Sequence, residues 1–190
     1  MITLPLGVLK SGTVEFDPPL TAKVDAINGL EFGNVVRLVF VFRERWWPGK
    51  DFGFVHAFDK AIPTWWSDPR GPLLTGWAGG PKADALLTHS SAQLEALGVG
   101  ILARVFSKRA ASLRAHLIGF YTHSWTHDPY IRGAYSYIPR NGLDLPKLLA
   151  APLAGTLFFA GEATVTDAQT GTVAGAFESG LRAAREVAEA

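Results

Sequence analysis

Cysteine is absent from the 190 residues, which excludes disulfides, thiolate metal sites and a cysteine nucleophile. A charge excess is missing too. The 18 Lys and Arg stand against 17 Asp and Glu, so no global field steers the chain toward nucleic acid or acidic lipid. Partners must be found through local sites. No apolar run reaches the ~20 residues that a membrane helix needs: the stretches 35–42 and 148–161 are shorter and are interrupted by Arg37 or Pro152. No basic region precedes the run from Ile2 to Leu9, so a targeting segment is not expected and the chain reads as soluble and cytoplasmic, with no membrane partner. Repeats, low-complexity tracts and linkers are lacking, and the 12 prolines are scattered.

What is present is a hydrophobic share of 48%, enough to bury a core. Val35 to Phe42 is β-branched and aromatic and reads as a buried strand. Weaker strand runs cover residues 53–58, 73–77 and 113–125, separated by turn clusters such as Trp46-Trp47-Pro48-Gly49. Ser91 can cap a helix carrying Leu94, Leu97, Ile101, Leu102 and Val105. Residues 171–190 repeat apolar side chains at helical spacing (Val173, Ala176, Phe177, Leu181, Ala184, Val187), with Glu178, Arg182 and Arg185 on other faces. Before them, Gly155 to Gly161 reads as a turn and a short strand. The expected class is α+β: a mixed, largely antiparallel sheet with covering helices, plus a C-terminal strand-loop-helix.

That last unit aims helix N–H groups at its loop mouth. Gly171 would let a ligand approach the backbone closely, and Thr172 and Val173 supply the candidate N–H donors at the positive end of the helix. The plainer alternative is a helix packed on a strand, with Glu162 in solvent. Lys10 ends an apolar run and reads, from its neighbours alone, as the point where a strand reaches water. Trp125 and Tyr135 could be core, but Asp128-Pro129 and Arg132-Gly133 break the segment between them and favour an irregular concave wall offering ring faces to a ligand. Gly98-Val99-Gly100 has dinucleotide-binding spacing but follows a helical stretch rather than a strand, which argues against a nucleotide site. His116, His123 and His127 lack tight metal-ligand spacing, so no metal site is expected.

Three blocks in order carry a resemblance: Thr3-Leu4-Pro5-Leu6-Gly7-Val8-Leu9-Lys10; Trp125 to Tyr137; and Leu157-Phe158-Phe159-Ala160-Gly161-Glu162-Ala163-Thr164 followed by Gly171 to Ala176. Together they resemble the C-terminal portion of flavin-containing amine oxidases, the family of monoamine oxidases, polyamine oxidases and lysine-specific histone demethylases. The resemblance implies a substrate-binding domain over residues 1–150 and an FAD-contacting strand-loop-helix over 151–190. It implies that Lys10 reaches a water beside flavin N5 and that Trp125 lies against the flavin. Tyr135 would wall the substrate cage, with Thr172 at the second cage position. Gly161 and Glu162 would lie along the ribityl or diphosphate part of FAD, and Thr172 and Val173 would face its pyrimidine edge.

Departures from the family pattern shape the expectation. Ala134 stands where monoamine oxidases carry the cysteine that binds flavin, so FAD would be noncovalent. Thr172 replaces the second cage tyrosine, which resembles the demethylase and polyamine-oxidase side. The N-terminal G-x-G-x-x-G unit that grips the FAD diphosphate is not in the sequence, so the missing partner is an N-terminal FAD-binding domain and the substrate a small-molecule amine. Rival readings are a noncatalytic partner-binding fragment, or a related flavoprotein such as a protoporphyrinogen oxidase or carotenoid desaturase.

Overall fold

In the computed structural model, which describes residues 1–49 and 53–190, the chain opens into a helix where a strand was expected. Helix α1 (Leu6–Ser11) starts behind Pro5 and ends at Gly12, whose backbone is left-handed (φ 63°). Proline before a first turn and glycine after a last one are helix punctuation. Six residues are too few for helical periodicity to declare itself. Lys10 therefore sits in the last turn of a helix, and its reading as a strand end is corrected.

The chain continues through α2 (Val24–Gly29), β1 (Glu31–Phe32), β2 (Val35–Phe42), β3 (Phe54–His56), β4 (Thr64–Asp68) and β5 (Leu73–Gly79). Then come α3 (Pro81–Asp84), α4 (Ser91–Val105), α5 (Ala110–His116), β6 (Leu117–Thr122), β7 (Ser136–Tyr137), α6 (Leu145–Ala150) and α7 (Val173–Ala188). Two compact units result, one of Met1–Gly33 with Trp125–Ala190, the other of Asn34–Ser124. Residue 150 is not a boundary of compactness, because residues on both sides of it belong to the first unit. No helix among the described residues is long and apolar enough to cross a membrane.

The second unit is a five-stranded antiparallel sheet in the order β3-β4-β5-β2-β6. Along β2 the side chains alternate, with Val36, Leu38, Phe40 and Phe42 buried and Arg37 exposed, so one face carries the core. Trp65 joins that core and its indole N–H donates to the Ile62 carbonyl at 3.0 Å. Helix α4 covers this side with Leu94, Val99, Ile101 and Leu102. Its cap is Ser90, one residue earlier than expected: the Ser90 hydroxyl accepts from the Gln93 N–H (3.3 Å) and the Gln93 side chain accepts from the Ser90 N–H (2.8 Å). The run 113–125 also divides, ending α5 before it becomes β6.

Gly98 lies inside α4, far from any strand-to-helix turn, and its role is close packing. A Cβ built there would come 2.4 Å from Phe40 Cζ and 2.8 Å from Cε2. Alanine ordinarily stabilises a helix interior over glycine by about 0.5–1 kcal/mol. Here the clash wins. Gly98→Ala is expected to destabilise the protein by about 1–3 kcal/mol, read as a lower urea midpoint; a higher midpoint would mean that the Phe40 ring yields without cost.

The first unit is built on Leu6, Ile27, Leu30, Leu149 and Ala163. The strand expected near Phe158 is reduced to a parallel bridge: the Ile2 N–H donates to Phe158 O (2.7 Å) and the Ala160 N–H to Ile2 O (2.9 Å). Helix α7 buries the small residues Gly175, Ser179 and Ala183. Arg182, on a face other than that of the apolar repeat, donates to Phe159 O (2.7 Å), Thr164 Oγ1 (3.2 Å) and Ala150 O (3.2 Å). Lys23 is buried, with its ammonium donating to Leu148 O (2.7 Å) and Ala151 O just past the end of α6 and lying 4.7 Å from the Phe159 ring centre. Burial holds its pKa below the usual lysine value, Arg182 pushes the same way, and Glu186 opposes them.

Candidate functional site

Tyr135 is placed by a backbone clasp: the Gly33 N–H donates to Tyr135 O (2.9 Å) and the Ala134 N–H to Gly33 O (2.8 Å). The two-residue β1-β7 ladder follows, pairing Phe32 with Ser136 and Glu31 with Tyr137. The alternation turns Ser136 inward and leaves Tyr135 40% exposed. Ser136 then fixes the acid of the site. Its N–H lies 3.2 Å from both carboxylate oxygens of Glu162, and its hydroxyl donates to Oε2 at 2.6 Å. Glu162 opens a 3-10 turn (Glu162–Thr164) behind Gly161, whose φ is 128°. The Gly161 N–H donates to Ser179 Oγ of α7 at 2.9 Å, tying this turn to the helix.

Gly171 brings the start of α7 to the same place. Its φ is 77°, and a Cβ there would lie 3.1 Å from Ser136 O, 3.7 Å from Tyr135 Cδ2 and 3.9 Å from Glu162 Oε2. Left-handed backbone favours glycine, and a side chain there would have to push back the Ser136 carbonyl. Thr172 caps the helix, accepting from the Gly175 N–H at 3.0 Å. Of the two backbone donors expected to face outward, the Thr172 N–H already donates to Gln169 O (3.1 Å). Val173 is the first helical residue, where N–H groups have no intrahelical acceptor, and its side chain is exposed.

The structure thus gathers Tyr135, Gly161, Glu162, Thr172 and Val173 around Gly171. Trp125, half-buried in a turn, is tied by its carbonyl to the Gly133 N–H at 3.2 Å, two residues before Tyr135. Lys10 stands one helix away, its ammonium donating to Asn28 O at the end of α2 (3.0 Å). A cavity of about 280 Å³ is walled by Leu6 and Leu9 of the Lys10 helix, by Phe32 and Ala134, and by Gly161 and Glu162. Sequence reasoning missed Ser136, which could have been found as the inward member of Tyr135-Ser136-Tyr137. It also missed the inward Arg182, for which local sequence carries no signal.

The family described as flavin containing amine oxidoreductase matches residues 1–188. Lysine-specific histone demethylase 1B of Mus musculus is 30% identical over 199 residues, covering 99% of this chain and 24% of its own length. Polyamine oxidase 2 of Arabidopsis thaliana is 31% identical over 192 residues, covering 98% of this chain and 38% of its own. A solved structure of a putrescine oxidase mutant, made in a redesign of cofactor binding, has the same fold, with a TM-score of 0.82 at 20% identity over 100% of this chain and 42% of that one. The chain therefore spans between 24% and 42% of the length of these relatives. It belongs to the flavin-containing amine oxidoreductase family.

Proposed function

We propose that the chain is the substrate-side portion of an FAD-dependent amine oxidase, with residues 1–150 serving substrate and 151–190 contacting the cofactor. The observation that carries this is the convergence of Tyr135, Glu162 and the start of α7 on Gly171. The fit to a flavin rests on backbone rather than on charge. A Cβ on Gly161 would meet no atom within 4 Å, leaving an open cradle beside Glu162, while the positive end of α7 favours electron-rich atoms at Val173. Gly161, Glu162 and Val173 would hold FAD, with Thr172 shaping the helix start and Trp125 against the ring. Ala134 offers no sulfur, so the attachment is noncovalent. Bound flavin supplies hydride acceptance from the carbon beside an amine nitrogen, giving an imine, and its reoxidation by oxygen gives hydrogen peroxide.

The chain's own residues have simpler tasks. Tyr135 presents a ring face to the amine, with Thr172 on the opposite side. Lys10 orders a water and moves a proton there, which requires its ammonium to share or leave the Asn28 carbonyl. The diphosphate grip is read as lying in a partner segment of dinucleotide-binding type. Helix α7 supports that: its outer side exposes Val173, Phe177, Leu181 and Val187 at 88%, 67%, 40% and 47%, an apolar stripe suited to a further layer. The same stripe favours a second reading, a noncatalytic module that only docks on that partner.

FAD titration with fluorescence detection tests the proposal. The purified chain is expected to be colourless and to bind FAD weakly; a stoichiometric yellow protein with submicromolar affinity would overturn the divided site. With the dinucleotide-binding half added, amines should bleach the flavin band anaerobically. Stoichiometric flavin that no amine bleaches would leave the noncatalytic reading.

A further inference from the structure

Phe32 packs against two parts of the site, helix α1 and the segment leading to Tyr135, which also approach each other directly at Gly7. Phe32 lies in β1, is half-buried, and walls the 280 Å³ cavity. The Cδ1–Cε1 edge of its ring meets α1: a Cβ on Gly7 would fall 2.9 Å from Phe32 Cε1, and 2.6 and 2.7 Å from the carbonyl oxygens of Ile131 and Arg132. The ring also fills the space over Gly133, where a Cβ would fall 2.2 Å from Cδ1 and 2.5 Å from Cε1. Gly7 lies three residues before Lys10 on α1, and Gly133 two residues before Tyr135. Six residues do not hold a helix by local hydrogen bonds alone, so the placement of α1 comes from what it packs against.

We propose that Phe32 is a positioning residue, a wedge between Gly7 and Gly133 that sets Lys10 and Tyr135 in one fixed relation. The inference rests on the functional reading above for the roles of those two residues, but the wedge itself is a property of the chain. A ring that merely filled the core would influence stability and nothing else. As a wedge it transmits: when it is shortened, the seat of α1 on the Ile131 and Arg132 carbonyls loses the ring that packs against both Gly7 and Gly133, and the proton site and the substrate wall go out of register together. Both glycines are needed for this contact, because side chains there would occupy the volume of the ring or of the carbonyls beside it.

Two measurements on Phe32→Leu and Phe32→Ala decide the matter. In the 190-residue chain, hydrogen exchange should quicken in α1 and also at Gly33, Gly133 and Ala134, whose N–H groups clasp the segment, while Asn34–Ser124 keeps its protection. Quickening confined to one of these places, or to neither, overturns the wedge. In the flavin-loaded complex with the dinucleotide-binding half, both flavin reduction by amine and reoxidation should slow about tenfold, as misplaced reacting groups do, with flavin still stoichiometric. Phe32→Tyr should restore both. Gly133→Ala should be damaging in the wild-type background and less so beside Phe32→Ala, which removes the ring its Cβ would strike. Unchanged half-reactions in the folded variants would reject the positioning role. If the wild-type complex itself fails to oxidise amines, the functional reading falls, and the exchange pattern still judges the wedge.

Discussion

Lys10→Met is expected to slow one or both flavin half-reactions by about a hundredfold to ten-thousandfold, the range for loss of a positioned proton-transfer group, while flavin stays bound. Methionine keeps most of the unbranched stem that packs in α1 and removes only the ammonium. That ammonium touches Asn28 O at 3.0 Å and none of Gly161, Glu162 or Val173, so the cofactor cradle is left intact. Rapid-mixing absorbance separates reduction from reoxidation. If neither rate changes, Lys10 is a cation resting on the negative end of α2, a role worth only about 0.3–1 kcal/mol.

Tyr135→Ala should lower kcat/KM by about a hundredfold through loss of ring contact and displacement of the reacting carbon, with an unaltered flavin spectrum. A core role predicts something else. Truncating a fully buried aromatic costs about 3–5 kcal/mol, but Tyr135 is 40% exposed, so much of its ring already meets solvent and the stability loss should be well below that range. Thermal unfolding and single-turnover reduction on the same sample separate the two. A large drop in Tm with normal kinetics in the folded fraction would remove Tyr135 from the substrate wall.

How legible these features were in the sequence depended on their length. Val35 to Phe42 and residues 173–188 are long enough for their periods to show, and they form the long strand between β5 and β6 and the last helix. Helix α1 is a single turn and a half whose boundary residues, Pro5 and Gly12, were stronger signals than its apolar content. The segment 113–125 is strand only over Leu117–Thr122, because apolar content alone does not mark where α5 gives way to β6. At the site, Tyr135 and Glu162 meet the start of α7 at Gly171, and what seats them is tertiary. Ser136 holds Glu162, and Gly171 admits Tyr135. These partners are separated in sequence by loops whose course no period encodes.

The division of the chain has a consequence for how it is made. Residues Asn34–Ser124 contain a complete sheet and its covering helices and can settle as soon as they leave the ribosome. The first 33 residues cannot, because their unit is completed by Trp125–Ala190. Lys23 illustrates the delay, since its two carbonyl acceptors lie 125 and 128 residues downstream. During synthesis the segment Met1–Gly33, with Lys10 in it, is therefore made before the body that follows it, and it closes against Trp125–Ala190 only when that stretch has been made. Until then its apolar residues, Leu6 and Ile27 among them, lack Leu149 and Ala163, the downstream partners they pack with in the folded chain.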